Sequence, residues 1–285
     1  MLKRSLEHLD VKEDGCYIDA TLGEGGHSRA ILSRLTGGHL IAIDRDPQYI
    51  EIAKLKWADH RVSLYCSLFS NVDIVVNTPV DGILADLGTC TSQLTSNRGF
   101  SFQHDGPLDM RMGCNSKVTG LQVLHRYSVK SLQRMFDIYG GEKQAKLFAR
   151  VIKDNLHSIV SSNDLASLLS RHNRMVQKIH PATRVFQALR VEVNNEVKEL
   201  INFLQKAYSI LKSGGRLVVI TFNSLEDRIT KKFMQSVVRQ TKNEIFDSRS
   251  SHKAEWCVNK EKPNRQEIAD NPGSRSAVLR CIRRV

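Results

Sequence analysis

Short apolar runs alternate with segments of helical periodicity along most of the chain, which is the pattern of a parallel sheet with helical connections. The apolar runs predict five strands in succession, at Cys16–Ala20, Leu40–Asp44, Val62–Cys66, Gly82–Asp86 and Leu217–Phe222. Two closing strands, Glu255–Asn259 and Ala277–Ile282, are expected to form a hairpin at one edge and make the sheet mixed. The predicted fold class is therefore α/β, a doubly wound Rossmann-like sheet.

Helical periodicity fills the segments between these runs. It predicts helices at Gly26–Leu35, Pro47–Trp57, Glu192–Leu211 and Glu226–Val238. Gly214 and Gly215 are interpreted as the stop of the third of these helices, because glycine commonly ends a helix.

The stretch between the fourth and fifth strands is much longer than the roughly 30 residues of a simple strand–helix–strand unit. Its surplus, Pro107–Pro181, carries helical patterns at Val129–Tyr139, Glu142–His157 and Asn163–His172, with Asn163 as a candidate N-cap. The expected organisation is a sheet domain made of residues 1–106 and 182–285. An inserted helical domain for substrate recognition would span residues 107–181.

Acidic residues stand at the ends of three predicted strands. Asp19 precedes a glycine turn of pattern G-x-G-G-H (Gly23–His27), Asp44 ends the second strand, and Asp86 is followed by Leu-Gly. Ligands of doubly wound sheets bind at the carboxyl ends of the strands, so the three carboxylates should project toward one crevice. A glycine turn with an acid about 20 residues further on indicates an adenosine cofactor whose ribose hydroxyls bond Asp44.

The residues around the turn leave the cofactor's identity open between two classes. The chain has no G-x-x-x-x-G-K-[ST] motif, which excludes a P-loop. Asp19 suits a ligand with a positive amino group, such as the methionine part of S-adenosylmethionine, better than the pyrophosphate of a nicotinamide dinucleotide. An equally simple role for Asp19 is to cap the loop. An oxidoreductase that uses a nicotinamide cofactor stays the alternative.

Charge and composition point to a polyanionic partner. The net charge is +12, and Arg228–Val285 alone holds 14 Lys/Arg against 6 Asp/Glu. A second basic stretch, Leu165–Val191, contains no acidic residue. Its basic side chains are Arg171, Arg174, Lys178, Arg184 and Arg190. The six cysteines form no C-x-x-C pair, so neither a metal site nor a disulfide framework is expected, and the absence of an apolar leader or span favours a cytoplasmic protein.

Longer motifs make a family resemblance visible. The chain closely resembles the RsmH (MraW) family, which methylates N4 of a cytosine in the decoding region of small-subunit ribosomal RNA. The matching runs, from Ile18 to Arg280, are IDATLGEGGHSRAIL, AIDRDP, DGILADLG, SQL followed by RGFSFQHDGPLDMRM, HPATRVFQALRVEVNNEV, GGRLVVITFNSLEDRI and NPGSRSAVLR.

The resemblance implies a class I methyltransferase sheet, S-adenosyl-L-methionine as cofactor, and small-subunit ribosomal RNA, within the small ribosomal subunit, as partner of a monomer or homodimer. It places cofactor contacts at Gly25, Gly26, His27, Asp44, Phe69, Asp86 and Gln93. Phe69 also fits a core position beyond the third strand. The acceptor amine would be oriented by Asp86 or Asp109.

The chain also departs from the family pattern. Asn223 replaces the usual His of F-H-S-L-E-D-R, Gly141 and Gly273 replace a Glu and an Arg, and a His-x-Pro-Val segment is missing at the start. An RNA-binding or ribosome-assembly protein without efficient catalysis is therefore a second alternative. A DNA amino-methyltransferase is disfavoured, because Asp86-Leu-Gly stands where such enzymes carry Asn/Asp-Pro-Pro-aromatic.

Overall fold

The computed structural model describes residues 1–76, 78–113, 116–176, 179–243 and 254–285. These residues divide into a sheet unit, Met1–Gly88 with Val197–Val285, and a helical unit, Thr89–Glu196. The predicted insertion 107–181 lies inside the helical unit, which begins before Pro107 and extends beyond Pro181. No described helix is long and apolar enough to span a bilayer.

The sheet unit is built on strands β1 Cys16–Asp19, β2 His39–Asp44, β3 Val62–Cys66, β4 Val80–Asp86, β5 Leu211–Thr221, β6 Ala254–Glu261 and β7 Val278–Arg284. Their order is β3-β2-β1-β4-β5-β7-β6. Strands β1 to β5 are parallel, and β7 runs antiparallel to both β5 and β6. The mixed, doubly wound sheet predicted from the sequence is confirmed. The last strand of the chain, β7, lies between β5 and β6, and β6 forms the edge of the sheet.

Helices follow the strands in the order the alternation predicts. Their bounds in the sheet unit are α1 Leu2–Leu9, α2 Gly26–Leu32, α3 Pro47–Lys56 and α4 Val72–Val75, and in the helical unit α5 Thr91–Leu94, α6 Gly120–Arg126, α7 Val129–Gly140, α8 Ala145–Asp154, α9 Ser162–His172 and α10 Ala182–Val193. The sheet unit then continues with α11 Glu196–Ser209, α12 Ser224–Asn243 and α13 Arg265–Asp270.

Both faces of the sheet carry a buried core, because neighbouring strand residues point to opposite sides. Ile83 and Val219 pack with Phe203 of α11 on one face. Leu84 and Val218, their neighbours in sequence, pack on the other face with Ile31 of α2. Near-continuous apolar strands are thus explained by burial on two sides, as in other parallel sheets.

The prediction of a helix over Glu192–Leu211 is wrong in two details. The helix expected over Glu192–Leu211 is two helices, because Asn194 ends α10 and Asn195 takes a left-handed conformation with φ 53° before the chain continues into α11. The glycines at 214 and 215 do not end this helix, which already stops at Ser209. They lie within β5, where the register to β4 shifts between Val80 and Gly82 and Gly214 has φ 81°.

The helical unit encloses its own apolar core, which includes Phe136, Phe148, Leu165 and Leu189. Helices α7 and α10 approach so closely that a Cβ at Gly140 would lie 2.4 Å from the Arg184 carbonyl oxygen. Gly141 follows with φ 60°, a conformation that favours glycine, at the position where the family pattern has Glu. The N-cap of α9 is Ser161, whose Oγ accepts the Asp164 N–H (3.3 Å), so the expectation for Asn163 is wrong.

Candidate active site

The turn between β1 and α2 is a glycine cradle. Gly23 and Gly25 have φ 49° and 81°, a region that other residues rarely adopt. A Cβ at Gly25 would lie 2.6 Å from the Trp57 ring, whereas a Cβ at Gly26 would meet no atom within 4 Å. The turn therefore presents backbone to open space in front of Gly26, as required for close approach of a ligand.

Asp19 organises this turn from beneath. Its carboxylate is fully buried and accepts bonds from the Thr21 N–H (3.1 Å) and the Ser28 hydroxyl (2.6 Å). Burial, opposed by these bonds, raises the pKa of Asp19 to about 6. Of its two predicted roles, the structure gives Asp19 the loop-capping one. A role toward a ligand amino group stays a prediction.

Asp44 ties the end of β2 to the same turn. One oxygen accepts the Gly23 N–H and the other accepts the Asp46 N–H, each at 2.8 Å. A carboxylate has about four acceptor positions, so one on each oxygen is left for a ligand. Burial raises the pKa of Asp44. Two vicinal hydroxyls of a ribose match this pair of acceptors.

Asp86 ends β4 beside β1, where its backbone N–H donates to the Thr21 hydroxyl at 2.7 Å. Although 30% of the side chain is accessible, Oδ1 is enclosed and has no hydrogen-bond partner among the described residues. Oδ2 lies 3.4 Å from Nδ1 of His27. Burial, and next the charge of Asp19, raise the pKa of Asp86 to about 7.

His27 complements this carboxylate. Burial lowers the pKa of His27 to about 4, so the imidazole is neutral at pH 7, and its Nε2 is buried without a partner among the described residues. An enclosed polar atom without a bond costs free energy unless a ligand or water satisfies it. Asp86 Oδ1 and His27 Nε2 are therefore the two atoms here that a polar ligand would satisfy.

The remaining predicted site residues have clear partners of their own. Phe69 follows β3 and packs on Phe203 with ring centroids 4.9 Å apart, which is the core position that the sequence also allowed. Its contact with adenine stays a prediction. In the helical unit, Gln93 is buried and its Oε1 accepts the Cys90 N–H at 3.1 Å, closing the first turn of α5.

Asp109 is held within its own segment. Its two oxygens accept bonds from Nε and an Nη of Arg111 at 2.6 and 2.7 Å, and the Arg111 backbone N–H adds a third bond. The Arg111 bond lowers the pKa of Asp109. The buried side-chain amide of Asn194 accepts the Met112 N–H and donates to the Met110 carbonyl oxygen. Asp109 therefore stabilises the conformation of the DMRM run.

Sequence reasoning missed three side chains that build the site. Thr21 bonds Asp86 and Ser28 bonds Asp19, and both lie inside the family run IDATLGEGGHSRAIL. Glu226 is buried at the start of α12, accepts the Phe222 N–H at 2.9 Å, and contributes to the raised pKa of Asp86. The sequence feature that could have identified Glu226 as a site residue is the polar run NSLEDR directly after a predicted strand.

Asn223, which departs from the family pattern, also has a defined role. Its side-chain oxygen accepts the N–H groups of Leu225 (3.1 Å) and Glu226 (3.0 Å) at the start of α12. Asparagine is among the preferred helix N-caps. The replacement thus supplies a cap that holds Glu226 in place.

Comparison with known proteins confirms, over the full chain, the family resemblance that the motifs indicated. The family model described as the MraW methylase family matches residues 1–285. Ribosomal RNA small subunit methyltransferase H of Francisella tularensis subsp. tularensis (strain WY96-3418) is 40% identical over 299 residues, covering 100% of both chains. The protein of that name from Francisella philomiragia subsp. philomiragia is 40% identical over 300 residues, covering 100% of this chain and 97% of its own.

Among solved structures, an rRNA methylase from Streptococcus thermophilus has 11% identity and a TM-score of 0.44, covering 99% of this chain and 93% of its own. The doubly wound sheet with its antiparallel β7, the glycine cradle and the acids at the ends of β2 and β4 fit the class that the relatives show, a methyltransferase that depends on S-adenosylmethionine. Within that class, the chain belongs to the MraW methylase family.

Cofactor binding should depend on pH through the buried carboxylates. Asp86 and Asp19, with pKa values of about 7 and about 6, are protonated at low pH and ionise as pH rises. S-adenosylmethionine is a cation at its sulfonium, so its affinity should rise between about pH 5 and about pH 8 as these groups gain charge. S-adenosylhomocysteine lacks the sulfonium charge and should show a weaker rise. Calorimetry with both ligands checks this, and parallel pH curves would contradict it.

Proposed function

We propose that this chain transfers a methyl group from S-adenosylmethionine to N4 of a cytidine in the decoding region of small-subunit ribosomal RNA, acting in the cytoplasm on the small ribosomal subunit. The observation that carries this proposal is the match over the entire chain to relatives named ribosomal RNA small subunit methyltransferase H, at 40% identity. The proposed cofactor contacts are Gly25, Gly26, His27, Asp44, Phe69, Asp86 and Gln93.

The acceptor chemistry requires alignment more than a strong base. The lone pair of the exocyclic amine of cytosine is delocalised into the ring, so the amine is a weak nucleophile. A polar group that accepts a bond from this amine helps its lone pair to localise and aims it at the methyl carbon. When bound, S-adenosylmethionine supplies an electrophilic methyl group on a positive sulfur.

Of the two predicted orienting residues, we propose Asp86. Its enclosed Oδ1 has no partner among the described residues and can accept an N–H of the acceptor amine. With a pKa of about 7, Asp86 can also take up the proton that the amine loses after transfer. Asp109 is a weaker candidate, because both of its oxygens bond Arg111 and its pKa is lowered.

The substrate is tested by nucleoside analysis. Small ribosomal subunits from cells that lack the activity are incubated with the purified protein and labelled S-adenosylmethionine, and the rRNA is digested and examined by mass spectrometry. Label on cytidine N4 supports the proposal. Label in adenine or on carbon 5 of cytosine, with none on N4, contradicts it.

RNA binding should draw on the basic stretch of the helical unit. Arg171 and Arg174 are exposed, whereas Arg190 bonds Glu196 at 2.9 Å. Lys178, also predicted to bind RNA, lies outside the described residues. In the C-terminal fifth, Arg280 is buried against Asp227, Arg283 pairs with Glu255 and Arg284 bonds backbone carbonyls. Arg280 and Arg284 thus serve the fold, and Arg171 and Arg174 are the exposed residues of the basic stretch chosen for the test.

Replacing Arg171 and Arg174 together with alanine should weaken RNA binding and flatten its salt dependence. Each neutralised phosphate contributes roughly 0.7 to 0.9 to the slope of log affinity against log salt, so the slope should fall by roughly 1.4 to 1.8. The matched control replaces two exposed lysines of α3, Lys54 and Lys56, and removes the same net charge. Affinity for rRNA is measured over a salt series. Equal slopes for the two double variants would contradict the assignment.

A further inference from the structure

The imidazole of His180 is held on three of its sides within the helical unit. Its Nδ1 accepts the Ala182 N–H at 3.2 Å, and its Nε2 lies 3.1 Å from the Ser170 hydroxyl. One face stacks on Phe102, with ring centroids 4.3 Å apart and an interplanar angle of 29°. Phe102 is in turn fixed by an edge contact with the buried Phe186 at 5.3 Å.

Despite these contacts, His180 is exposed. With both nitrogens bonded and one face stacked on Phe102, the opposite face has no ring contact among the described residues and is the side from which a planar ligand could approach. The bond from Ala182 makes Nδ1 an acceptor, so the ring hydrogen sits on Nε2 and points to Ser170. The ring is therefore unsuited to act as a base or a metal ligand, and its free face is a flat surface of fixed orientation.

The surroundings of this face favour RNA over an apolar partner. Ser170, which bonds the ring, is followed directly by exposed Arg171, and Leu165–Val191 contains no acidic residue. Burial lowers the pKa of His180, so the ring is neutral at pH 7 and would contribute a surface for contact and not a charge. Unpaired bases of RNA bind proteins by stacking on aromatic rings, histidine included, next to cationic side chains that contact phosphates.

We propose that His180, supported from behind by Phe102, is a platform on which an unpaired base of the RNA substrate stacks, with Arg171 contacting the adjacent phosphate. The inference rests on the proposed function and specifies how the helical unit would hold single-stranded rRNA.

Two substitutions separate a stacking role from a structural one. His180→Asn can still accept the Ala182 N–H through its side-chain oxygen, as asparagine does in turns, but it has no ring to stack on. His180→Phe keeps the ring and loses both hydrogen bonds. If the ring binds RNA, the Phe variant should bind nearly as tightly as the unsubstituted protein. The Asn variant should lose between roughly fivefold and roughly 150-fold in affinity, the range for one base–aromatic stack.

The probe is a short single-stranded oligoribonucleotide, with its fully paired duplex as comparison, and binding is followed by fluorescence anisotropy with the full chain. The slope of log affinity against log salt should be the same for the Asn variant and the unsubstituted protein, because base stacking neutralises no phosphate. The Asn variant should also bind the duplex with the affinity of the unsubstituted protein. His157→Asn, at another exposed histidine of the helical unit, should change nothing. Melting temperature and S-adenosylmethionine affinity are measured for each variant.

A result in which the Asn variant binds single-stranded RNA like the unsubstituted protein while the Phe variant binds poorly would overturn the platform and leave His180 as a helix cap. The proposed function would then stand, since unsubstituted protein still binds. If the unsubstituted protein binds neither the oligonucleotide nor small ribosomal subunits, the platform and the proposed function both fail.

Discussion

Replacing Asp44 with alanine is expected to weaken S-adenosylmethionine binding by more than about a hundredfold, since hydrogen bonds to a charged group contribute about 1.5–3 kcal/mol each and two are lost. The two carboxylate oxygens each bond one backbone N–H and keep a further acceptor position for a ribose hydroxyl. Alanine removes the acceptors and also releases Gly23, so the glycine cradle loosens at the same time. Isothermal titration calorimetry gives the affinity directly.

The control for this prediction is Asp46→Ala. Asp46 is buried two residues further on and caps α3 by accepting the Gln48 N–H at 3.2 Å. Its loss should lower the free energy of unfolding by about 1 kcal/mol, as for other N-caps, while cofactor affinity stays the same. If Asp44→Ala bound the cofactor with unchanged affinity, Asp44 would not belong to the binding site.

The second large effect is expected at Asp86. Asp86→Asn should lower the rate of methyl transfer by roughly a hundredfold to a thousandfold, the usual loss when one positioned polar group is removed from a reacting centre. In the unsubstituted protein the rate should rise with pH through about 7, as the carboxyl ionises and can accept the amine's N–H. The Asn variant should lack this step, because an amide does not titrate. Single-turnover rates over a pH series measure both effects.

Asp109→Asn is the matched comparison, because it makes the same chemical change at the other predicted orienting residue. Its carboxylate is already bonded to Arg111, so the substitution should mainly destabilise the DMRM run and lower the melting temperature. The pH step in the rate should remain. A larger loss of rate in Asp109→Asn than in Asp86→Asn, together with loss of the pH step, would transfer the orienting role to Asp109.

Much of the sheet could be predicted because strands and their ends are local features of the sequence. Val62–Cys66 was predicted with its observed bounds, and Asp44 and Asp86 were placed at the strand ends where they are found. Apolar–polar alternation indicates a strand buried on one face, and a continuous apolar run indicates a strand buried on both, whichever elements pack against it. The break at Asn194 and Asn195 was not predictable in this way, because an uninterrupted helical periodicity continues through it.

Local patterns along the chain were enough to indicate the class of protein: a doubly wound sheet, a glycine cradle after β1, acids at three strand ends, and the motifs of one methyltransferase family. Contacts made only in the folded chain distinguish the carboxylates that the sequence singled out as site candidates. Asp19, Asp86 and Asp109 carry the same carboxylate group. Asp19 accepts hydrogen bonds from Thr21 and Ser28, Asp86 keeps an enclosed oxygen without a partner among the described residues, and Asp109 is paired with Arg111. Hydrogen-bond partners and burial set the pKa of a carboxyl, and for Asp19 and Asp86 the burial comes from segments distant in the chain that only the folded sheet brings together.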